Sequence, residues 1–435
     1  LTMGIKRFFL SVFAILTIFN VYSENSSSKD NSETKSITNQ TSKLTLGGYG
    51  EAVMSRMFYS NNYKRYSDAT KYADATGYGQ FDLPHVVFFV GYDFGKGWSL
   101  GSEIEFEHGG TESAVEIEEE ETGEYESEIE RGGEVALEQF WIQKSFGKSL
   151  NLRMGHIIVP VGLTNQYHLP TEFFTVYRNE GESTILPCTW HETGVSLWGK
   201  LDTWRYEVLF VAGLDANRFG SKDWIKGGAG SPYEFKLATA YAGAFRLDNY
   251  SIKNWRLGLS GYIGNSAANT LEPDKFKDLK GTVTVGSFDF HYDSPNFIVR
   301  GNCDYGHLTN SEAITIANNN SRKGSPSPKT AIASDAIAAS VEAGYDIFSI
   351  INRTSLGNNK LYVFGRYDYY DSMYKTSGSV IDNECWSRQR IAGGINYKPL
   401  KDIVIKAEYS HRIFKSQYNN ENTLSIGIAY AGFFK

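Results

Sequence analysis

Charged side chains occupy alternate positions in several short segments of this sequence. Glu103, Glu105 and Glu107 alternate with Ile104 and Phe106. Alternate residues of a β-strand point to the same face, so this segment would present a row of carboxylates on one side. The same reasoning places further charged residues on the faces of other predicted strands: Arg153, Arg300, Arg366, Arg388 and Arg390. Rows of charged side chains attract or repel ions, which is the chemistry of a selective passage.

The sequence gives little support to catalysis or to a bound cofactor. It contains no GxSxG motif, and the histidines on predicted strands show no partner pattern for an activated nucleophile: His85, His156, His291 and His411. Three cysteines are too few and odd in number for a disulfide framework, although Cys188 and Cys385 both fall in predicted loops and could pair. No CxxC or Cys/His spacing indicates a zinc site. We expect no cofactor, no metal and no enzyme activity.

The elements that carry the charged residues are predicted to be β-strands. Aromatic residues make up 14% of the chain, with 43 Gly and only 10 Pro, which favours an all-β protein. Alternation with a period of two recurs in segments of about ten residues, the length of a membrane-spanning strand. Sixteen strands are predicted: 44–58, 81–94, 98–108, 134–146, 150–158, 192–201, 204–213, 235–246, 255–263, 280–293, 295–305, 334–350, 358–371, 386–397, 402–412 and 422–434.

The connections between these strands alternate in length. Seven are short, and the other eight are long: 59–80, 109–133, 159–191, 214–234, 264–279, 306–333, 372–385 and 413–421. A soluble sandwich has no reason to keep every long loop at one end, whereas outer-membrane barrels have short periplasmic turns and long outer loops. The predicted fold class is therefore all-β, a transmembrane antiparallel barrel of sixteen strands with both termini on the periplasmic side.

The two faces of the predicted strands differ in the way that a membrane barrel requires. Arg366 and Asp368, for example, alternate with Gly365, Tyr367 and Tyr369. A Lys or Arg that faces mid-bilayer lipid costs roughly 2–4 kcal/mol, so charged residues within a strand are expected to face water. A soluble barrel would show the reverse arrangement. We therefore predict a polar lumen and an apolar exterior in contact with outer-membrane lipid.

The first residues are predicted to be a targeting segment. Residues 1–23 combine the basic pair Lys6-Arg7 with an apolar run over 8–19, which is typical of a secretory signal peptide. Residues 24–43 are rich in Ser, Thr and Asn and are predicted to be a flexible leader. The barrel domain is predicted to occupy residues 44–435.

The formal net charge of −7 comes mainly from one segment. Residues 109–134 contain eleven Glu and one Arg, and the rest of the chain is close to neutral. No basic patch is present, so a nucleic-acid partner has no support. For the Glu-rich residues 111–134, two interpretations remain open. They are a solvated charge run, or a site for divalent cations, which favour hard oxygen ligands.

The longest of the long connections, residues 159–191, is called the third loop here because two long loops separated by strands come before it. It contains three of the ten prolines and mixes aromatic side chains with Asn165, His168, Glu172 and Arg178. Sixteen strands enclose a wide, water-filled channel that needs something to narrow it. We predict that the third loop folds into the barrel and presents polar groups at a constriction. A cap on the outer surface is the alternative.

The third loop also carries a family resemblance. The segment "GHIIVPVGLTNQYHLPTEFFTVYRNEGE", followed by "TWHETGVSLWG", resembles the phosphate-selective porin family of Gram-negative outer membranes. So do "EIEFEHGG", "LEQFWI", "FGRYDYYD" and the aromatic end of the last strand. The resemblance implies a sixteen-stranded, usually homotrimeric barrel that conducts small ions or solutes passively. It also implies that arginines line a loop-narrowed channel, and Arg178 is the best positional match.

The carboxylates of the expected lumen argue against strict phosphate selectivity. Glu103 and Glu105 belong to the same water-facing set as the arginines, so the wall is mixed in charge. We therefore predict a general porin for small hydrophilic solutes, with anion preference open. An adhesin with a plugged lumen is the main alternative, and a barrel hydrolase is the weakest.

Overall fold

The structure is a computed structural model. It describes residues 43–109, 114–118, 128–132, 134–230, 237–270, 273–321, 331–351 and 359–434. The predicted signal peptide, nearly all of the predicted leader and most of the Glu-rich segment lie outside these ranges. The predictions for those segments, including cation binding by residues 111–134, stay predictions.

Strands dominate the described part of the chain. In chain order they are β1 (Leu44–Met57), β2 (Tyr78–Asp82), β3 (His85–Gly95), β4 (Trp98–Glu107), β5 (Ala114–Glu118), β6 (Glu128–Gly132), β7 (Glu134–Ser145), β8 (Asn151–Ile158), β9 (His191–Leu201), β10 (Trp204–Ala212), β11 (Tyr241–Asn249), β12 (Trp255–Asn265), β13 (Thr282–Asp293), β14 (Phe297–Leu308), β15 (Asp335–Asp346), β16 (Lys360–Lys375), β17 (Ser387–Leu400), β18 (Ile403–Ile413) and β19 (Glu421–Phe434).

These strands form a closed antiparallel barrel. Each barrel strand pairs with its neighbours along the chain, and β1 also pairs with β19, from Leu46↔Phe434 to Met57↔Thr423. The short β2 and the longer β3 both pair with β1 and share one barrel position, while β5 and β6 form a separate two-stranded sheet. Sixteen barrel strands therefore close within the described residues. The predicted fold class is confirmed.

The strand boundaries differ from the predicted ones where local chemistry intervenes. The second predicted strand is broken at Leu83-Pro84, because proline has no N–H to donate to the ladder. The strand predicted at 235–246 is observed at Tyr241–Asn249. At the short connection between β3 and β4, Lys96 (φ 54°) and Gly97 (φ 77°) are both left-handed, which is typical of a tight hairpin turn.

Helices are confined to the connections. Two α-helices are described, α1 (Glu180–Ile185) in the third loop and α2 (Ser311–Ser321) in the long loop after β14. Single 3-10 turns lie at Tyr63–Tyr66, Thr70–Tyr72, Ala216–Arg218, Lys226–Ala229, Ala267–Asn269, Pro273–Phe276, Ile347–Ser349 and Glu384–Trp386. Among the described residues, no helix is long and apolar enough to cross a membrane.

The barrel is apolar outside and polar inside. On β18 and β19 the cross-strand partners Ile405 and Ile428 are 41% and 51% exposed, whereas inward-facing Lys406 and Glu408 are buried. The same contrast holds on β16, where Tyr367 is exposed and its neighbours in the strand are buried. An exposed belt of large apolar side chains is stable only against lipid.

The exposed apolar belt predicts that the loss of stability caused by a charged substitution depends on its depth in the membrane. Ile428 lies near the middle of β19, so Ile428→Lys should lower the free energy of unfolding by roughly 2–4 kcal/mol. Leu201 is also exposed but ends β9 at a turn, so Leu201→Lys should cost only about 0–1 kcal/mol. Urea unfolding in lipid vesicles measures both values, and equal costs at the two positions would contradict the predicted depth of the belt.

Candidate functional site

The third loop packs against the inward-facing side chains of the barrel. Val161, Phe174, Val176, Ile185 and Trp190 are all at most 2% exposed. A loop buried to this degree must find partners for its backbone polar groups, because each unpaired buried group costs free energy comparable to a lost hydrogen bond.

One side of the wall supplies such partners from β18. The Lys406 ammonium donates to the carbonyl oxygens of Phe173 at 2.9 Å and Thr175 at 2.8 Å. The Val176 N–H donates to the Glu408 carboxylate at 2.8 Å. A Lys and a Glu two residues apart on one strand face therefore bind three backbone groups within four consecutive residues of the loop.

Other strands bind the loop from different directions. The Arg246 guanidinium of β11 donates to the Gly162 carbonyl at 3.0 Å, and the Gly162 N–H donates to the Ser260 hydroxyl of β12 at 3.1 Å. The Asn179 amide donates to the Asn302 side-chain oxygen of β14 at 3.0 Å. The loop is therefore bonded to widely separated parts of the wall.

Phe174 is packed where the wall lacks a side chain. Its ring stacks on Phe364 of β16 with centroids 5.6 Å apart and also contacts Tyr362. A Cβ added to Gly344 of β15 would lie 2.3 Å from the Phe174 ring, a separation that real Cβ atoms do not show. Gly344 is therefore the position that lets the loop lie against this wall.

This close approach predicts that Gly344→Ala displaces the third loop. We expect faster limited proteolysis within residues 159–191 and an altered single-channel conductance. Gly365→Ala is the matched control, because a Cβ there meets no atom within 4 Å. Identical proteolysis and conductance for the two variants would show that the Phe174 contact does not hold the loop.

The predicted wall arginines Arg300, Arg366 and Arg390 lie in one ion-pair network, called the paired wall. Arg366 bonds Asp368 at 2.7 Å and Glu342 at 3.0 Å. Further pairs complete this side of the barrel: Arg300–Glu342 at 2.8 Å, Arg390–Glu180 at 3.1 Å, Arg390–Glu408, Arg412–Glu180 at 2.6 Å, Arg246–Asp289 at 3.0 Å and Arg256–Asp248 at 2.9 Å. Each arginine of the paired wall is therefore ion-paired with a carboxylate.

Glu180 connects the third loop to the paired wall. It lies in the first turn of α1, and its carboxylate accepts from Arg412 and from the Tyr370 hydroxyl and forms an ion pair with Arg390. Burial raises the pKa of Glu180, but Arg412 and Arg390 outweigh burial, so its net pKa lies well below the usual range. Glu180 is thus ionised at ordinary pH, and its bonds to the wall are charge-assisted.

The opposite side of the lumen is acidic. Glu51, Glu103, Glu105 and Glu138, called the acidic patch, project inward from β1, β4 and β7 around Arg178 of the third loop. Arg178 donates to the Tyr49 hydroxyl at 3.1 Å, and this hydroxyl donates to Glu138 at 3.2 Å. Burial lowers the pKa of Arg178, but Tyr49 and the neighbouring carboxylates outweigh it and hold the pKa above its usual range.

Two of the predicted wall arginines lie apart from both regions. Arg153, near the start of β8, donates to Gln143 at 3.2 Å and lies over the Trp141 ring at 4.7 Å. Arg388, at the start of β17, donates to the Cys385 carbonyl at 2.9 Å and packs over Trp386. Neither is brought next to Arg178, so the predicted set does not form one cluster. Its role in lining a passage stays a prediction.

Glu138 is not among the predicted wall residues, although the sequence contains a signal for it. In β7 the apolar residues change phase, from Val135 and Leu137 to Phe140 and Ile142. The register shift opposite Glu103 shows the bulge that this change of phase indicates. The bulge turns both Glu138 and Gln139 inward, and Gln139 donates to Glu103 at 2.5 Å. No sequence signal identified His168 as a neighbour of these residues.

Two groups among the described residues could hold a metal ion. They are His85 with Glu105 and Glu107, and Glu103 with Glu138 and His168. The cysteines form no such group, and no disulfide joins Cys188, Cys303 or Cys385, all of which lie in described parts of the chain.

Comparisons with known proteins agree with this architecture. No family model matches the chain. An uncharacterised protein of Aquifex aeolicus is 25% identical over 383 residues, covering 87% of this chain and 78% of that protein.

The similar solved structures include three porins. An anion-selective porin from Comamonas acidovorans (11% identity, TM-score 0.50) covers 89% of this chain and 99% of its own. OmpF of Salmonella typhi (11%, 0.51) covers 89% and 97%, and OprB of Pseudomonas putida (9%, 0.51) covers 89% and 94%. At these identities the likeness shows the fold. With its sixteen strands and apolar belt, this chain is an outer-membrane β-barrel of a Gram-negative bacterium.

Proposed function

We propose that this barrel is a porin, a passive diffusion channel for small hydrophilic solutes and ions that is narrowed by the third loop. The observation that carries the proposal is the position of that loop, bonded to inward-facing residues of β11, β12, β14 and β18. Passive diffusion through a charged lumen that is narrowed by a fixed loop requires no nucleophile and no cofactor. The absence of enzyme activity remains a prediction.

The charge distribution favours weak ion selectivity. The resemblance to phosphate-selective porins implies an anion preference, which depends on arginines that can attract a passing anion. Arg300, Arg366 and Arg390 each form an ion pair with a carboxylate, which reduces their attraction for a passing anion. The acidic patch opposes Arg178 in the same way. We therefore propose a general porin rather than a dedicated phosphate channel, and a homotrimeric assembly by analogy with the resembling family.

A plugged surface-binding barrel is the second candidate function. The third loop is bonded to many strands, and the charged residues of the paired wall are buried, except for Glu180 and Arg412, which are 24% and 22% exposed. The described cavity between the loop, Arg300 and Arg366 has a volume of about 20 Å³, enough for about one water molecule. Planar-bilayer recording separates the two functions: a porin gives stepwise openings, whereas a plugged adhesin passes no ions.

Arg178 provides the test of the constriction. Its removal would leave the acidic patch without its central cation, so Arg178→Ala should raise cation permeability and shift the reversal potential in a salt gradient toward cation preference. Arg218→Ala, which removes an exposed outer-loop cation, is the control and should leave that potential unchanged. If Arg178→Ala changes neither conductance nor reversal potential, the assignment of the third loop to the constriction is wrong.

A further inference from the structure

Glu103, Glu138 and His168 meet at the junction between the third loop and the wall. They come from β4, from the bulge of β7 and from the loop, and their ligand atoms all lie within 4.8 Å of one another. Glu138 is fully buried. The Nδ1 atom of His168 is also buried and has no hydrogen-bond partner among the described residues. A buried imidazole nitrogen without a partner costs free energy unless something binds it.

We infer that these three residues bind a single divalent transition-metal ion, for which Zn²⁺ is the appropriate probe. Imidazole nitrogen and carboxylate oxygen are both established Zn²⁺ ligands, and three protein ligands leave a position for water. Two atoms each about 2.1 Å from one ion lie at most about 4.2 Å apart, so any pair of these ligand atoms that lies farther apart than that must draw closer on binding. Of the three residues, only His168 lies in a loop, whereas Glu103 and Glu138 lie in strands.

Neighbouring residues orient the two carboxylates. Gln139 donates to Glu103 at 2.5 Å, while Tyr49 and Thr189 donate to the two oxygens of Glu138. Such outer partners fix the position of metal ligands and typically change affinity by about 10–100-fold when removed.

The local charge also favours a cation. The acidic patch contributes four carboxylates around the Arg178 guanidinium, and Glu51 also interacts with Lys406. Arg178 bonds the His168 carbonyl at 3.4 Å and the Tyr49 hydroxyl, so its guanidinium is held beside the three ligands. Bound metal would tie the third loop directly to β4 and β7. This inference concerns binding alone and holds whether or not the barrel conducts.

Calorimetric titration of the full-length protein in detergent with Zn²⁺ tests the inference. We expect one equivalent to bind, and both His168→Ala and Glu138→Gln to weaken binding at least tenfold. Co²⁺ should bind the same site and give the visible absorption of a nitrogen- and oxygen-ligated ion, which His168→Ala abolishes. Heat-modifiable mobility on gels confirms that each variant is folded, and His168→Cys, which keeps a zinc ligand, should retain binding.

The second group of metal-capable residues supplies the control. Glu107→Gln changes a partly exposed carboxylate of the group His85, Glu105 and Glu107, so it should leave Zn²⁺ affinity within about twofold of the wild type. The inference is overturned if no stoichiometric Zn²⁺ binding occurs. It is equally overturned if Glu107→Gln abolishes binding while folded His168→Ala retains it.

Discussion

Excision of the third loop is expected to raise single-channel conductance several-fold. The N–H of Val159 donates to the Trp190 carbonyl at 2.7 Å, so the two ends of the loop are already adjacent. A short Gly-Ser linker can therefore replace residues 161–188 without separating β8 from β9. The loop occupies the space between the acidic patch and the paired wall, and sixteen strands without it leave an aqueous channel.

The comparison must separate obstruction from general disturbance of the outer loops. Shortening the exposed connection Lys415–Gln417 between β18 and β19 is the control, and it should change conductance little. Planar-bilayer recording with the same salt on both sides gives the ratio of conductances. An excised variant that folds and conducts like the wild type would mean that the loop does not limit the passage.

Loss of Arg366 is expected to destabilise the barrel more than loss of any exposed charge. Arg366→Ala leaves Asp368 and Glu342, both at most 2% exposed, without their shared cation. Breaking a buried ion pair by removing one partner typically costs about 3–5 kcal/mol. We expect a loss of this size in the free energy of unfolding, measured by urea titration in lipid vesicles.

A neutralising variant shows whether the loss is electrostatic. Adding Asp368→Asn to Arg366→Ala neutralises the buried carboxylate whose nearest cation has been removed, while Glu342 keeps its ion pair with Arg300, so this double variant should regain part of the stability. Lys200→Ala, at an exposed inward position near the turn after β9, should change stability by less than about 0.5 kcal/mol. If the double variant is no more stable than Arg366→Ala, lost packing rather than unpaired charge is responsible.

The strand count and the facing of the wall residues could be predicted because alternation is a local property. Arg366 and Asp368 face inward and Tyr367 faces outward, as two-residue periodicity requires. The lengths of the loops could also be predicted, since turn and loop sequences interrupt the alternation of apolar and polar residues. Helix α2 was missed, because nothing in the long loop after β14 has strong apolar helical periodicity.

The partners of each charge could not be predicted, because they depend on register between strands. Arg366 meets Glu342 since these two residues are directly opposite on β16 and β15. A slip of one position would turn one of them toward lipid. The meeting of His168 with Glu103 is still less predictable, because it depends on the path of a long loop across the lumen.

The seam between β1 and β19 has a consequence for biogenesis. One edge of the first strand pairs with β2 and β3, but the other edge finds its partner only when residues 421–434 have been synthesised and exported, so no shorter piece of the chain can close the barrel. Until that moment both outer strands expose unpaired backbone groups, which favours aggregation. A C-terminal truncation of β19 is therefore expected to act on yield and delivery before it acts on transport.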